Sequence, residues 1–500
     1  MVFNLIHEAW IPVRRQSGVQ AKIAPWQLTE EKDPPVSLDA CRPDFNGALI
    51  QFMIGLVQTA FSPDNPMIWR QQFSRPPSPE VLKAAFDKVA DAFDLDGNSF
   101  RFMQDLGLRQ EEAKNSLASL LIDAPGDSTI KENKAFFNKE NKDFQLCSAC
   151  VATALFTLQT NAPSGGSGHR TSLRGGGPLT TIIVFEDSLW KTIYANVLDR
   201  IDFPSYPGSL PLFPWMMQAR TSEPKTGTTI FPQDNPPHYV YWATPRRILL
   251  DFVSIKSGVC SLCGVASDTL LTKYVTKNYG ENYEGAWQHP LSPYRQDKDG
   301  MRYPLHPQPG GIGYRHWLGL VQNRPNQKGA IDGFCARNVH VFRSKHQRRG
   351  MNVRLWAFGY DMDNMKARCW YDSTMPIIHV SDEAAVLGLY EESVEALVVN
   401  AQKAAQSLYK AVRAACAELP WVCHMFWQAT EPYFYHMLTI LKEACESDQS
   451  EIEVIYKGWN DILRTEAIRL FDASVASGSF KDANPKKIVL AYQMLEKFFK

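Results

Sequence analysis

Two Cys-x-x-Cys pairs constrain this chain more than any other feature of its sequence. Cys147-Ser148-Ala149-Cys150 and Cys260-Ser261-Leu262-Cys263 are each spaced so that one tight turn aims two thiolates at a single ion, and two such turns complete a tetrahedral set. The pairs stand 109 residues apart, a loop whose closure costs about 4 kcal/mol by the logarithmic chain-entropy relation. Structural zinc contributes roughly 10 to 16 kcal/mol in small peptide sites, enough to hold that excursion shut. Four protein ligands leave no open coordination position, so the expectation is one structural Zn2+ per chain on Cys147, Cys150, Cys260 and Cys263. Spacing alone leaves an alternative open, in which one pair is redox-active or both are buried apolar cysteines. Ten cysteines in 500 residues are too few for a disulfide scaffold, and paired thiols reserved for metal suit a reducing, cytoplasmic compartment.

Around those pairs the chain reads as α+β: an irregular mixed N-terminal body over residues 1–378 carries the zinc site, and a C-terminal four-helix bundle follows over 379–500. Helical periodicity at 48–60 and 80–93 alternates with loop-rich, aromatic stretches. Nine prolines between Pro204 and Pro245 favour loops and short edge strands there. After Ser381-Asp382-Glu383, an N-cap with acids in the first turn, Leu387, Val394, Leu397, Ala401, Leu408, Val412 and Leu419 keep helical spacing until Pro420. Three further helices are expected over about 421–446, 452–476 and 486–499, and their short connections imply antiparallel packing. At about 100 to 200 residues per domain the length suggests two to four domains. No run of 18 apolar residues and no signal-like N-terminus occurs, so neither membrane spanning nor export is expected.

Catalytic signatures are missing. The stretch Ser164-Gly165-Gly166-Ser167-Gly168-His169-Arg170 lacks the G-K-[ST] of a P-loop and the G-x-G-x-x-G of a dinucleotide fold. What it offers is backbone that approaches a partner closely, since glycine has no Cβ; the alternative is a plain surface loop. Eleven histidines are scattered singly, with no metal-ligand spacing. Asp361-Met362-Asp363-Asn364 departs from a calcium loop, and no G-x-S-x-G elbow is present. Lys plus Arg and Asp plus Glu both total 53, so attraction of a polyanion has to be local. Arg343, Lys345, Arg348 and Arg349 lie within seven residues and suit phosphate contacts, unless acids elsewhere neutralise them. Lysines 131, 134, 139 and 142 flank Phe136-Phe137, aromatics placed to stack on bases or anchor in a partner, or to fold back onto the body.

Four blocks, residues 5–14, the cysteine pairs, Ser172-Leu173-Arg174-Gly175-Gly176-Gly177-Pro178-Leu179-Thr180-Thr181 and Gly359-Tyr360-Asp361-Met362-Asp363-Asn364-Met365-Lys366-Ala367-Arg368-Cys369-Trp370, together resemble the CasA family. That family is the large subunit of the type I-E CRISPR surveillance complex Cascade. The resemblance implies a non-catalytic subunit that checks a motif beside the target on double-stranded DNA while guide RNA reads the target by pairing. It implies that the loop from Ala162 to Gly168 enters the minor groove, with serines at 164 and 167 where relatives carry glycine. A lysine finger is implied among Lys273 and Lys277, with Asn278 at the equivalent place. A β-hairpin wedge is implied at Asp361, Asp363, Asn364 and Met365; on residue type alone this is an ordinary tight turn. Phe136 and Asn138 are implied to dock onto the guide RNA and neighbouring Cas subunits, and the body to help recruit the helicase-nuclease. Two other functions compete: a zinc-supported nuclease using Asp361 and Asp363, and a scaffold that touches only protein neighbours.

Overall fold

The computed structural model describes residues 2–125, 132, 143–166, 168–323, 332–363, 366–381, 383–416, 419–477 and 484–499. Its contacts divide the chain into two compact units. The first comprises Met1–Pro309, Asn323–His346 and Trp356–Asp372, and the second Gly310–Gln322, Gln347–Leu355 and Ser373–Lys500.

Helix Pro43–Ala60 is the axis of the first unit. Proline at its first position and Asp44 in its first turn suit a helix N-terminus. From Asp44 to Gln58 it is buried on nearly every side, as expected of a helix enclosed by protein. Phe52 centres an aromatic core in which the rings of Trp10, Phe93, Phe102, Phe156 and Trp242 meet it edge-on at 5.4–5.9 Å, the arrangement ring quadrupoles favour. Phe156 belongs to helix Ser148–Asn161, which packs against the axial helix.

The strands are short. Ile11–Arg15 pairs antiparallel with Gln20–Ile23 and Pro35–Leu38, and Lys273–Lys277 pairs with Asn115–Ser116 and Arg247–Leu250. A separate hairpin joins Lys256–Val259 to Ala266–Leu270. In another sheet Val353–Asp363 lies between Lys366–Ile377 and Thr180–Val184. The proline-rich stretch from Pro204 to Pro245 holds no helix longer than Tyr239–Trp242, because its prolines lack the N–H a longer helix needs.

The block from Ser172 to Thr181 is a structural knot. Arg174 is wholly buried and donates to Gln51 Oε1 at 2.5 Å, Thr180 Oγ1 at 3.0 Å and Ser292 Oγ at 2.9 Å, tying the axial helix to strand Thr180–Val184. Burial without a carboxylate lowers its pKa to about 10. Gly177 has φ +60°, and a Cβ there would come within 2.8 Å of the Tyr360 carbonyl oxygen.

The second unit is built on four helices, Ala384–Ala415, Trp421–Glu446, Ile452–Ser477 and Pro485–Phe499, the first touching each of the others. The mixed body followed by helices expected from the sequence is thus present. The first helix ends at Ala415, short of Leu419, where Cys416 leaves helical geometry at φ −128°, ψ −76°. Residues 379–500 are joined in this unit by Gly310–Gln322, since Tyr314 stacks on Phe434 at 4.4 Å and donates to or accepts from Thr430 at 2.8 Å. Trp459 closes the centre, its Nε1 donating to the Leu397 carbonyl at 2.9 Å.

Candidate metal centre and nucleic-acid interface

The four cysteines converge. Cys147 caps helix Ser148–Asn161 and Cys150 lies in its first turn, while Cys260 and Cys263 occupy the turn of the Lys256–Val259 hairpin, which Gly264 at φ +71° closes. All four sulfurs lie within 4.8 Å of one another, with Cys147, Cys150 and Cys260 buried and Cys263 half-buried. Cys147 Sγ is 3.7 Å from Cys263 Sγ. That is far too long for a disulfide and close to the spacing of about 3.8 Å between sulfurs on a tetrahedral ion with metal–sulfur bonds of about 2.3 Å. The Cys147 N–H donates to Cys260 Sγ at 3.4 Å. Hydrogen bonds from Cys147 and Cys150 pull the Cys260 thiol down, whereas hydrogen bonds with Cys147, Cys260 and Cys41 push the Cys150 thiol up. Four sulfurs this close repel one another as thiolates, and a divalent cation held between them would offset that repulsion. Among the described residues no other group of histidines, cysteines and acids is placed to hold a metal.

Helix Ser148–Asn161 runs from this centre to the glycine-rich loop. Its 14 residues span about 21 Å at 1.5 Å per residue, and Ala162 leaves the helix at its far end. There the chain turns back tightly: the His169 N–H donates to the Gly166 carbonyl at 2.8 Å, and Gly166 and Gly168 take φ +62° and +85°. Ser164, Gly165 and Gly166 are exposed; Gly168, His169 and Arg170 are half-buried; Ser167 lies outside the described residues. Burial and the Arg246 charge lower the pKa of His169. Arg170 does not project freely, since its guanidinium donates to Ser222 Oγ at 2.8 Å and to the Ser222 carbonyl at 3.2 Å.

The lysine candidates meet the loop through Tyr279. The Tyr279 N–H donates to the Gly168 carbonyl at 2.8 Å, and its own carbonyl accepts from Ser222 N–H at 3.1 Å. Asn278 and Lys277 immediately precede it. Lys277 is exposed and paired with Glu112 at 2.9 Å; Lys273, also exposed, lies four residues back on the same strand face.

Other candidates lie elsewhere. Asp361 is buried and held by Arg368, which donates to its two oxygens at 2.7 and 3.1 Å, while exposed Asp363 is 3.6 Å from the same guanidinium. Both residues end strand Val353–Asp363, and Lys366 begins the next. Asn364 and Met365, between them, lie outside the described residues, as do Phe136, Phe137, Asn138 and the neighbouring lysines. Arg343 and Lys345 fall on the single π turn Phe342–His346, where Lys345 pairs with Asp202 at 2.6 Å. Arg348 and Arg349 are exposed, the latter 3.8 Å from Glu446. Three residues that hold the loop carry no sequence signature: Tyr279, Arg246 and Gln159. Gln159 Nε2 donates to the Arg246 carbonyl and Gln159 Oε1 accepts from the Arg246 N–H, both at 2.9 Å. Their partners are distant in sequence, and no local pattern marks such pairs.

The family model for the CRISPR-associated protein Cse1 (CRISPR_cse1) matches residues 4–470. Among solved structures, CasA (Cse1) of Thermus thermophilus superposes with a TM-score of 0.72 at 17% identity, covering 99% of each chain. Cse1 of Thermobifida fusca gives 0.73 at 16% identity, over 99% of this chain and 96% of that one. A chain from a structure titled "CRISPR RNA-guided surveillance complex" gives 0.69 at 15% identity, covering all of both. The structural likeness concerns the fold, and the family match runs through the cysteine pairs, the loop and the hairpin alike: the protein belongs to the Cse1 family.

Proposed function

We propose that this protein is the large subunit of a CRISPR RNA-guided surveillance complex of the Cascade type, reading a short motif in double-stranded DNA through the minor groove and starting duplex opening for the guide RNA. One observation carries the reading: exposed Ser164, Gly165 and Gly166 stand on a turn held at one end by the cysteine-capped helix and at the other by Tyr279. The groove is only about 6 Å wide, so small residues on a firm base suit it. Lys277 and Asn278, next to the Tyr279 that holds the loop, and Lys273 at the other end of the same strand supply cations and hydrogen bonds, with Lys277 exchanging Glu112 for a phosphate. Arg343, Lys345, Arg348 and Arg349 add local backbone contacts despite the neutral whole.

The hairpin acts as the wedge. Asp361, fixed by Arg368, gives it a stiff base, and Asp363, Asn364 and Met365 at the tip replace lost stacking and hydrogen bonds, offsetting an unstacking cost of roughly a few kcal/mol per step. Phe136 and Asn138 dock the subunit onto the guide RNA and the other Cas proteins. Zn2+ on Cys147, Cys150, Cys260 and Cys263 is structural, and the reducing cytoplasm keeps those thiols available. DNA cleavage falls to the helicase-nuclease that the assembly recruits; the alternative of a nuclease at Asp361 and Asp363 is disfavoured by the hold Arg368 has on both oxygens of Asp361.

Shortening the loop by removing Gly165 and Gly166 tests the reading in the assembled complex. Affinity for a duplex carrying the preferred motif is expected to fall to that of a duplex without it. Retained preference, with normal assembly, contradicts the assignment.

A further inference from the structure

Arg246 supports the glycine-rich loop from beneath. Its Nη2 donates to the Pro163 carbonyl at 2.5 Å, and a Cβ on Gly165 would lie 2.8 Å from its Nη1. Gln159 clamps its backbone on both sides. Its Nε is buried without a hydrogen-bond partner, and among the described residues no carboxylate pairs with it. Acids are close by, in a cavity of about 360 Å³ that Arg246 helps to line. They are engaged: Asp105 accepts from Arg247 at 2.7 Å, and Glu281 accepts from Thr244 at 3.0 Å. Burial accordingly lowers the Arg246 pKa to about 10. A largely buried cation without a counter-charge is unfavourable in isolation, and Arg246, unlike Arg174, also leaves one of its nitrogens without a hydrogen-bond partner.

The loop carbonyls point to a reason. The Pro163 oxygen is taken by Arg246, those of Gly166 and Gly168 by the N–H groups of His169 and Tyr279, and that of Ala162 by Ser172. The minor groove presents acceptors at every base pair and only guanine adds a donor, so carbonyls directed at it would be repelled. Turning these four inward removes their share of that repulsion, and a positive charge behind the loop is drawn to the negative potential of the groove.

We infer that Arg246 is a positioning and specificity-determining residue for motif reading: its guanidinium draws the Pro163 carbonyl inward and places an uncompensated positive charge behind Ser164, Gly165 and Gly166. This rests on the minor-groove reading proposed above. Arg246 itself is a positioning residue; the loop is what meets the DNA.

The test uses the assembled complex and measures the ratio of affinities for duplexes with and without the preferred motif. Arg246→Gln and Arg246→Met, which lose the charge and the reach to Pro163, are expected to lower this ratio about tenfold, within the range of one mismatched base pair. Arg246→Lys, which keeps the charge but not the planar fork, is expected to recover part of it, a graded result that simple loss of packing would not give. Metal content and a urea transition for each variant identify any that fails to fold, and the Gln variant decides if Met does not. If the loop-shortened protein loses the preference while Arg246→Gln stays within about twofold of the unsubstituted protein, the inference is wrong and the minor-groove reading stands. If the loop-shortened protein keeps its preference, that reading fails and the role of Arg246 falls with it.

Discussion

A side chain at position 168 has nowhere to go: φ is +85°, and a Cβ would lie 2.6 Å from the Tyr279 ring. The glycines of this stretch are legible in the sequence as close-approach backbone, but which of them faces outward is not, because Tyr279 lies 111 residues further along the chain. Arg170 makes the same point from the other side. A basic residue beside glycines reads as a phosphate contact, yet its guanidinium is bonded to Ser222, which no local pattern pairs with it. Arg174 is the clearest test of packing at this scale. Replacing it with Met leaves Gln51 Oε1 and the Thr180 and Ser292 hydroxyls buried without their donor, so Arg174→Met is expected to destabilise the first unit by about 2 to 4 kcal/mol. A lowered urea midpoint measures this; an unchanged midpoint means the three acceptors find other partners.

Helix Ser148–Asn161 is the element that joins the cysteine cluster to the loop, since the cysteine pair begins it and Ala162 leaves its end. The Cys-x-x-Cys spacing made the cysteine cluster legible from the sequence, because two thiols three positions apart on a turn carry their own geometry. The long C-terminal helices were legible for a similar reason, since periodicity and the breaks at Pro420 and Pro485 are local. The short strands were not, because Lys273–Lys277 is defined by neighbours at Asn115–Ser116 and Arg247–Leu250 rather than by its own alternation. If the metal pins the helix start, Cys260→Ser is expected to reduce bound zinc from one per chain to well below that and to make the 162–170 loop more sensitive to limited proteolysis. Metal analysis and cleavage mapping check both; full zinc occupancy with unchanged cleavage would show that the fourth thiolate is dispensable.

At the scale of the whole molecule, equal numbers of basic and acidic residues leave no net field to gather a polyanion, so the proposed contact with DNA has to come from small, locally placed groups. The two compact units are described by contacts that cross the sequence: Gly310–Gln322 joins the helices through Tyr314, a membership that reading along the chain does not reveal. No helix among the described residues is long and apolar enough to cross a membrane. On the proposed function, the loop reads DNA from its minor-groove side. Methylation interference on the assembled complex addresses it directly, because dimethyl sulfate modifies adenine N3 in the minor groove and guanine N7 in the major groove. Methylation at N3 within the motif is predicted to block binding while methylation at N7 is tolerated; interference from N7 with indifference to N3 would contradict the account.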